Sequence, residues 1–430
     1  QIISKLNEVK EAGLSIAVLT GTCASPSTKK LVTKLGENFG VVNHVVYDAV
    51  SESAALDAFE MMYGTRALPD YHLEKAEVIV SIGADFLGDW QGGGFDAGYA
   101  KGRVPHNGKM SRHIQIESNM TLTGANADKR LMVKPSEQIT ALARLCATLT
   151  GGGVTMEMTP LTETVSNAAK QLQAAGSKAV VVTGIQDVNA QTVVLEINEA
   201  LNSKAFDKAT PIKTRQGSDQ EVMTLIADMK AGKVGAIIMS GVNPLYTLAN
   251  ASDFSEGLKN TDLSVAFSLK EDETSSETQF IAAAPHYLES WGDVEIKKGH
   301  YALTQPAIRP LFNTSQFQES LLRWLGNDIS YHDYIKEAWG TSILNGSSFN
   351  QALHDGMFVG TIETETEDTT DASQNTEMPS GDAARALVAS AKSSALELVL
   401  YTKTGMGDGQ QANNPWLQEF PDPITRTSWD

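Results

Sequence analysis

Short runs of Val, Ile, Leu and Ala recur along this chain with amphipathic stretches between them, and that alternation constrains the fold more than any other feature. Residues 15–19 read Ser-Ile-Ala-Val-Leu, residues 41–47 Val-Val-Asn-His-Val-Val-Tyr, residues 78–83 Val-Ile-Val-Ser-Ile-Gly, residues 178–184 Lys-Ala-Val-Val-Val-Thr-Gly and residues 234–239 Val-Gly-Ala-Ile-Ile-Met. A strand apolar at nearly every position has both faces buried, and such strands joined by helices form parallel, doubly wound sheets. The stretches between them have helical spacing. Leu31, Val32, Leu35 and Phe39 lie three and four apart behind Ser25-Pro26, which supplies a cap and a first-turn proline. The expected fold class is α/β, with two doubly wound, mostly parallel-sheet units and an irregular C-terminal extension.

A composition break at Thr150-Gly151-Gly152-Gly153 places the first unit at residues 1–150 and the second at 151–330, the latter with aromatic and Gly-rich closing loops. Residues 331–430 form the extension. Within it an acidic, Thr-rich loop at about 361–379, holding Glu363, Glu365, Glu367, Asp368, Asp371 and Glu377, reads as solvated. Residues 396–401 read as a final strand, and residues 413–419 as a tail docked across a surface.

Charge and cysteine count exclude several functions. Lys plus Arg total 34 against 52 Asp plus Glu, a net charge of −18, which repels nucleic acid and anionic lipid. Only Cys23 and Cys146 are present, whereas an iron-sulfur cluster takes about four thiolates. The spacing leaves open whether the two pair. Among the eight histidines there is no HxH, HExxH or Cys-His spacing, so no metal site is expected. GxGxxG, GxxxxGK[ST] and GxSxG motifs are also missing. There is no apolar stretch of spanning length and no leader, and the chain, opening at Gln1 in what reads as mid-helix, looks like a segment of something longer.

Ligands of open α/β sheets gather at the carboxyl ends of strands. Three junctions qualify: Gly21-Thr22, Gly83-Ala84-Asp85 and Gly241-Val242-Asn243-Pro244. Each taken singly reads as a tight turn with a helix cap. The loop Gln91-Gly92-Gly93-Gly94-Phe95 offers close backbone approach or merely a flexible turn. Glu271-Asp272-Glu273-Thr274 reads as a helix start, since consecutive carboxylates diverge and acidic residues suit that end of the helix dipole. His286, near Glu289 and Asp293, is an acid/base candidate that reads first as a packed, hydrogen-bonded residue.

The order and wording of these segments resemble one family. Gly232-Lys233-Val234, Met239-Ser240-Gly241-Val242-Asn243-Pro244-Leu245-Tyr246, Asp272-Glu273-Thr274-Ser275 and Ala284-Pro285-His286-Tyr287-Leu288-Glu289-Ser290-Trp291-Gly292-Asp293 resemble the molybdopterin oxidoreductase superfamily. The stretch from Tyr301 to Leu311 and the tail Asn414-Pro415-Trp416-Leu417-Gln418-Glu419-Phe420-Pro421-Asp422-Pro423 are similar to one branch, the large peripheral B subunit of bacterial alternative complex III. That resemblance implies a cofactor-free, molybdopterin-enzyme-like scaffold in a membrane-bound, quinol-oxidising respiratory complex. It implies iron-sulfur clusters in a missing part of the same subunit, haem c in a multihaem cytochrome partner, and integral membrane quinol-binding subunits as further partners. It also implies peripheral attachment on the periplasmic side of the bacterial inner membrane, with no catalytic residue in this segment. Active superfamily members ligate their metal through Cys, selenocysteine or Ser. Neither cysteine here matches that position, and Cys23 reads as a packed thiol before it reads as a ligand. The alternative is an active subunit with its pterin in a cleft between the two α/β units, contacted by Gly241, Asn243 and Asp272. A soluble α/β small-ligand-binding protein is the third reading.

Overall fold

The computed structural model of the chain describes residues 1–105, 108–150, 161–360 and 381–428. Its parallel strands, numbered in chain order, are β1 (Ser15–Thr20), β2 (Val42–Val46), β3 (Val78–Ile82), β4 (Arg112–Glu117), β5 (Lys129–Met132), β6 (Ala179–Thr183), β7 (Val234–Ser240), β8 (Leu263–Ser268) and β9 (Phe280–Ala283). They form a five-stranded sheet of order β9-β8-β7-β1-β2 and a four-stranded sheet of order β5-β4-β3-β6. Every pairing in both is parallel. The α/β class and the doubly wound pattern read from the sequence are those of the structure.

The division of the chain is different. One compact unit comprises Gln1–Ser51 with Lys213–Thr366, the other Glu52–Ile212 with Glu367–Asp430, in place of contiguous units at 1–150 and 151–330 and a separate extension at 331–430. The reason is strand pairing: β1 takes β7 as neighbour, with Leu19 opposite Met239, and β3 takes β6, with Val80 opposite Val181. Periodicity identifies a strand but not its partner. The glycine break at 151–153 and the acidic loop at about 361–379 lie outside the described residues.

In the first unit the two faces of the sheet follow the strand period of two. Ile16, Val18, Ala236, Ile238 and Val265 face the helices Ile2–Glu11 and Pro26–Phe39 together with Leu321, Ile335 and Trp339. Ala17, Leu19, Ile237 and Met239 face Val222, Ile226, Met229, Phe254 and Leu258 of the helices Asp219–Lys230 and Ala251–Lys259. The segment read as closing loops supplies two strands of an antiparallel meander, Gly292–Lys297 and His300–Thr304, which Met357–Val359 completes.

In the second unit Val80, Ile82, Ile114, Ile116 and Val181 pack on the helices Pro135–Thr150, Thr162–Ala175, Val188–Ala200 and Asp382–Ser390. Ile79, Val180 and Val182 pack on an aromatic layer that includes Tyr71, Phe86, Trp90, Phe95 and Tyr99. The strands Leu68–Tyr71 and Phe206–Ile212, distant in sequence, pair antiparallel. Among the described residues no helix is long and apolar enough to cross a membrane.

The last segment corrects two expectations. Residues 396–401 form no strand, and Leu396, Leu398 and Leu400 are 92, 82 and 84 % exposed. Glu397 instead accepts from Ser136 N at 2.9 Å and Ser136 Oγ at 2.8 Å, at the start of the helix Pro135–Thr150. Trp416 and Phe420 of the tail are also exposed, so these aromatics do not seat on the chain itself.

Backbone contact fixes where β3 and β6 end. A Cβ on Gly184 would lie 2.2 Å from the carbonyl oxygen of Gly83, so Gly184→Ala should lower the urea midpoint by the equivalent of about 1–3 kcal/mol or more. Gly340→Ala, at a helical position with nothing within 4 Å, should raise it by about 0.5–1 kcal/mol.

Candidate functional site

An open α/β sheet forms its binding crevice where strand order reverses. In the first unit that point lies between β1 and β7, and the sequence junctions Gly21-Thr22 and Gly241-Val242-Asn243 meet there. The meeting is close: a Cβ on Gly21 would stand 3.5 Å from the Gly241 carbonyl oxygen. Gly241 itself has φ +68° with nothing within 4 Å, a conformation that favours glycine. Beside this point Asp48 accepts from Thr22 N at 3.0 Å, Thr22 Oγ1 at 2.6 Å, Gly217 N at 2.8 Å and Gln216 N at 3.1 Å. The carboxylate ties three loops together.

Asn243 and Asp272 do the same for the loops after β7 and β8. Asn243 Oδ1 accepts from Thr274 N at 3.2 Å and Thr274 Oγ1 at 2.7 Å, and its Nδ2 donates to Glu273 Oε2 at 2.8 Å. This last bond holds the Glu273 carboxyl below the usual range. Asp272 Oδ1 accepts from Ser275 N at 2.8 Å and Oδ2 from Ser268 Oγ at 3.1 Å. The acidic run thus leads into a short 3-10 turn, Ser275–Glu277. The structure brings the loops of Gly241, Asn243 and Asp272 together and turns the polar atoms of Asn243 and Asp272 onto neighbouring backbone and side chains. A pterin cofactor is recognised by donors and acceptors aimed at it, and these two side chains do not fit that role.

In the second unit the reversal lies between β3 and β6, at Gly83 and Gly184. Asp85 Oδ1 accepts from Thr123 N at 2.9 Å and Thr123 Oγ1 at 2.7 Å. Along β4 runs a buried polar row. Tyr99 Oη lies 3.1 Å from His113 Nδ1, His113 Nε2 lies 3.2 Å from Gln115 Oε1, and Gln115 Nε2 donates to Glu117 Oε2 at 3.0 Å. The amide of Gln115 also donates to the Ala84 carbonyl, which fixes its orientation. His113 Nε2 must therefore carry the proton, while the single Tyr99 hydroxyl proton has two acceptors in reach, His113 Nδ1 and the Asn126 carbonyl at 3.0 Å. Glu117 closes the row against Arg130 Nε at 2.5 Å and Thr121 Oγ1 at 2.7 Å. Burial pushes His113 down to about 4. The signal was present in the sequence as polar residues at every second position, His113, Gln115 and Glu117, alternating with Ile114 and Ile116.

The remaining candidates resolve as parts of the scaffold. His286 caps the 3-10 turn Tyr287–Glu289, its Nδ1 accepting from Leu288 N at 3.3 Å while Glu289 Oε2 accepts from His286 N at 3.1 Å. Asp293 is buried at the start of the helix Pro26–Phe39, where it accepts from Ser25 Oγ at 2.5 Å, Ser27 Oγ at 2.6 Å, Ser27 N at 3.3 Å and Trp339 Nε1 at 2.9 Å. The glycine loop after Trp90 has φ of +89°, +76° and +95° at Gly92, Gly93 and Gly94. It folds Trp90 inward, where the indole donates to the Thr183 carbonyl at 3.1 Å. Cys23 and Cys146 are free thiols. Burial pushes the Cys23 thiol up, which disfavours the thiolate that metals and electrophiles require. Cys146 sits in the apolar core of the second unit. Among the described residues the geometry of a metal ligand set occurs at Asp70, His72 and Asp207, which the sequence motifs did not reveal because Asp207 comes from a distant strand.

No family model matches the chain. In sequence it is similar to the menaquinone reductase, molybdopterin-binding-like subunit of Nitratidesulfovibrio vulgaris (Hildenborough), with 22 % identity over 409 residues covering 79 % of this chain and 58 % of that protein. In structure it is similar to acetylene hydratase from Pelobacter acetylenicus, at a TM-score of 0.58 and 12 % identity over 84 % of this chain and 62 % of that one. It also matches a chain of the formyltransferase/hydrolase complex from Methylorubrum extorquens at a TM-score of 0.48 and 14 % identity, covering 79 % and 97 %. The chain spans somewhat over half the length of the curated relative it matches.

Two predictions follow from the buried ionisable groups. Asp293→Ala leaves the Ser25, Ser27 and Trp339 donors facing an empty site and should cost about 3–5 kcal/mol in urea unfolding, with Asp293→Asn intermediate. The pH profile tests the others. His113 has a folded value of about 4 against 6.5 unfolded. Its stability contribution, on the order of 3 kcal/mol, is present above pH 6.5 and lost as pH falls towards 4. Glu196 runs the other way. Burial first, then Asp382, raises it from 4.5 to about 7, so stability present below pH 4.5 is lost as pH rises through 7. Thermal midpoints of His113→Gln should therefore fall less steeply on the acid side than those of the parent. His44, also pushed down to about 4 by burial, leaves a residual slope. Glu196→Gln should flatten the neutral side.

Proposed function

We propose, from the premise that this chain belongs to the molybdopterin oxidoreductase superfamily, that it acts as a cofactor-free scaffold within a quinone-linked electron-transfer complex. The observation that carries this reading is the engagement of Asn243 and Asp272. At the carboxyl end of the first unit's sheet, where a ligand would be gripped, the side chains latch Glu273, Thr274 and Ser275 instead. The protonated state favoured for Cys23 points the same way. Similarity to a protein named as a molybdopterin-binding-like subunit of a menaquinone reductase supports the assignment to a multi-subunit electron-transfer assembly.

The finer reading is the B subunit of alternative complex III. It rests on the resemblance of the Tyr301 to Leu311 stretch and of the tail from Asn414 to Pro423. In that complex the electrons travel through iron-sulfur clusters in another part of the subunit and through haem c in a partner, and the quinol is oxidised in integral membrane subunits. This chain's residues supply rigid form. Parallel sheets buried on both faces, with loops tied by Asp48, Asn243 and Asp293, hold neighbouring redox carriers at fixed positions without moving electrons or protons themselves. Attachment to the membrane on its periplasmic side is then made by the partners.

The complex isolated from native membranes provides the test. Metal analysis and fluorescence of oxidised pterin after acid extraction should find no molybdenum, tungsten or pterin stoichiometric with this subunit, and the subunit should co-purify with haem c and integral membrane proteins. Stoichiometric pterin with either metal would establish the active-enzyme alternative. A monomer that saturates with a small ligand and has no membrane partner would establish the binding-protein alternative.

A further inference from the structure

The antiparallel strand pair of the second unit sets two carboxylates and an imidazole around one point. Asp70 on the strand Leu68–Tyr71 and Asp207 on the strand Phe206–Ile212 are directly opposite each other in the antiparallel ladder. His72 follows two residues after Asp70 and so projects from the same side, with its backbone fixed by a 2.8 Å bond from His72 N to the Ala205 carbonyl. Like charges directly opposite in a ladder are unfavourable. Here both carboxylates converge on one nitrogen, with Asp207 Oδ2 at 3.4 Å and Asp70 Oδ2 at 3.9 Å from His72 Nε2. Behind the ring, Glu74 Oε1 lies 3.7 Å from Nδ1.

We propose that Asp70, His72 and Asp207 form a binding site for a divalent first-row transition ion of the zinc class. The spacing is the first reason. Donors about 2.0–2.2 Å from a tetrahedral ion stand about 3.3–3.6 Å from one another. The 3.4 Å separation falls within this range, at the long end of a hydrogen bond, and the 3.9 Å one lies a little beyond it. The one-nitrogen, two-oxygen donor set is the second, since an imidazole favours zinc and its neighbours over magnesium or calcium. The outer contacts are the third. Glu74 Oε1, 3.7 Å from Nδ1 and so beyond hydrogen-bond length, stands on the side from which a carboxylate orients metal-bound imidazoles. Asp70 Oδ1 accepts from Tyr71 N at 2.8 Å, while Asp207 Oδ1 accepts from Ala209 N and Thr210 N at 2.9 and 3.0 Å. These bonds aim the other oxygens, Asp70 Oδ2 and Asp207 Oδ2, at the imidazole. Asp207 Oδ2 also accepts from Thr210 Oγ1 at 2.5 Å. All three side chains are partly exposed, so water completes the coordination and the ion enters from solvent. The ion would clip the two strands together.

The full chain, stripped with EDTA, is titrated with Co²⁺ and then with Zn²⁺. The expected result is one saturating equivalent of cobalt with visible d–d bands and no thiolate charge-transfer band, displaced by zinc. His72→Gln should abolish it, and Glu74→Gln should weaken it about 10–100-fold. Because Asp207 also orders its own turn, His72→Gln is the deciding variant, with unchanged circular dichroism as the check on folding. Lack of saturable binding, binding that survives His72→Gln, or a thiolate band from Cys23 or Cys146 would each overturn the proposal.

Discussion

The parallel ladder between β1 and β7 is the constraint on which the first unit depends. It joins Ser15–Thr20 to Val234–Ser240, and between these strands the chain leaves to build a second sheet and returns at Lys213. The cost of closing so long a loop grows only logarithmically with its length. What holds it closed is burial: Ala17, Leu19, Ile237 and Met239 on one face and Ile16, Val18, Ala236 and Ile238 on the other are all under 2 % exposed. Each CH₂ so buried contributes about 0.8 kcal/mol, and the strands cannot part without exposing both faces at once.

Around this ladder the polar side chains serve as ties between loops. Asp48 gathers the backbone of Thr22, Gln216 and Gly217. Asn243 gathers Thr274, and Asp293 joins the meander strand Gly292–Lys297 to the helix Pro26–Phe39 and to Trp339. A buried carboxylate is costly unless donors surround it. Asp293 has hydroxyl, backbone and indole donors at a helix N-terminus, where the dipole also favours negative charge. The arrangement suits a rigid body.

Much of this was legible from the residues alone. The strands at 15–19, 78–83, 178–184 and 234–239 stand out because apolar runs bounded by Gly and Thr have few other stable destinations. The helix at Pro26–Phe39 was marked by Ser25-Pro26, and the structure confirms the cap, with Ser25 Oγ accepting from Thr28 N at 2.9 Å. The site was less legible. Asp272 and Asn243 were identified as residues at strand ends, but whether their polar atoms face a ligand or one another depends on loops that meet only in the fold. The run at 396–401 shows the opposite failure: an alternating apolar segment was read as a strand, yet no ladder receives it and Leu396, Leu398 and Leu400 face solvent.

By itself the sequence determined that this chain is α/β and that its strands are buried on both faces. These follow from local periodicity and composition, which need no partner to be read. Only the tertiary structure decided that β1 pairs with β7 and β3 with β6, that the units interleave along the chain, and that Asp70 and His72 meet Asp207. Those outcomes depend on contacts between residues more than a hundred positions apart, which are selected by the shape and burial of whole surfaces rather than by any local pattern.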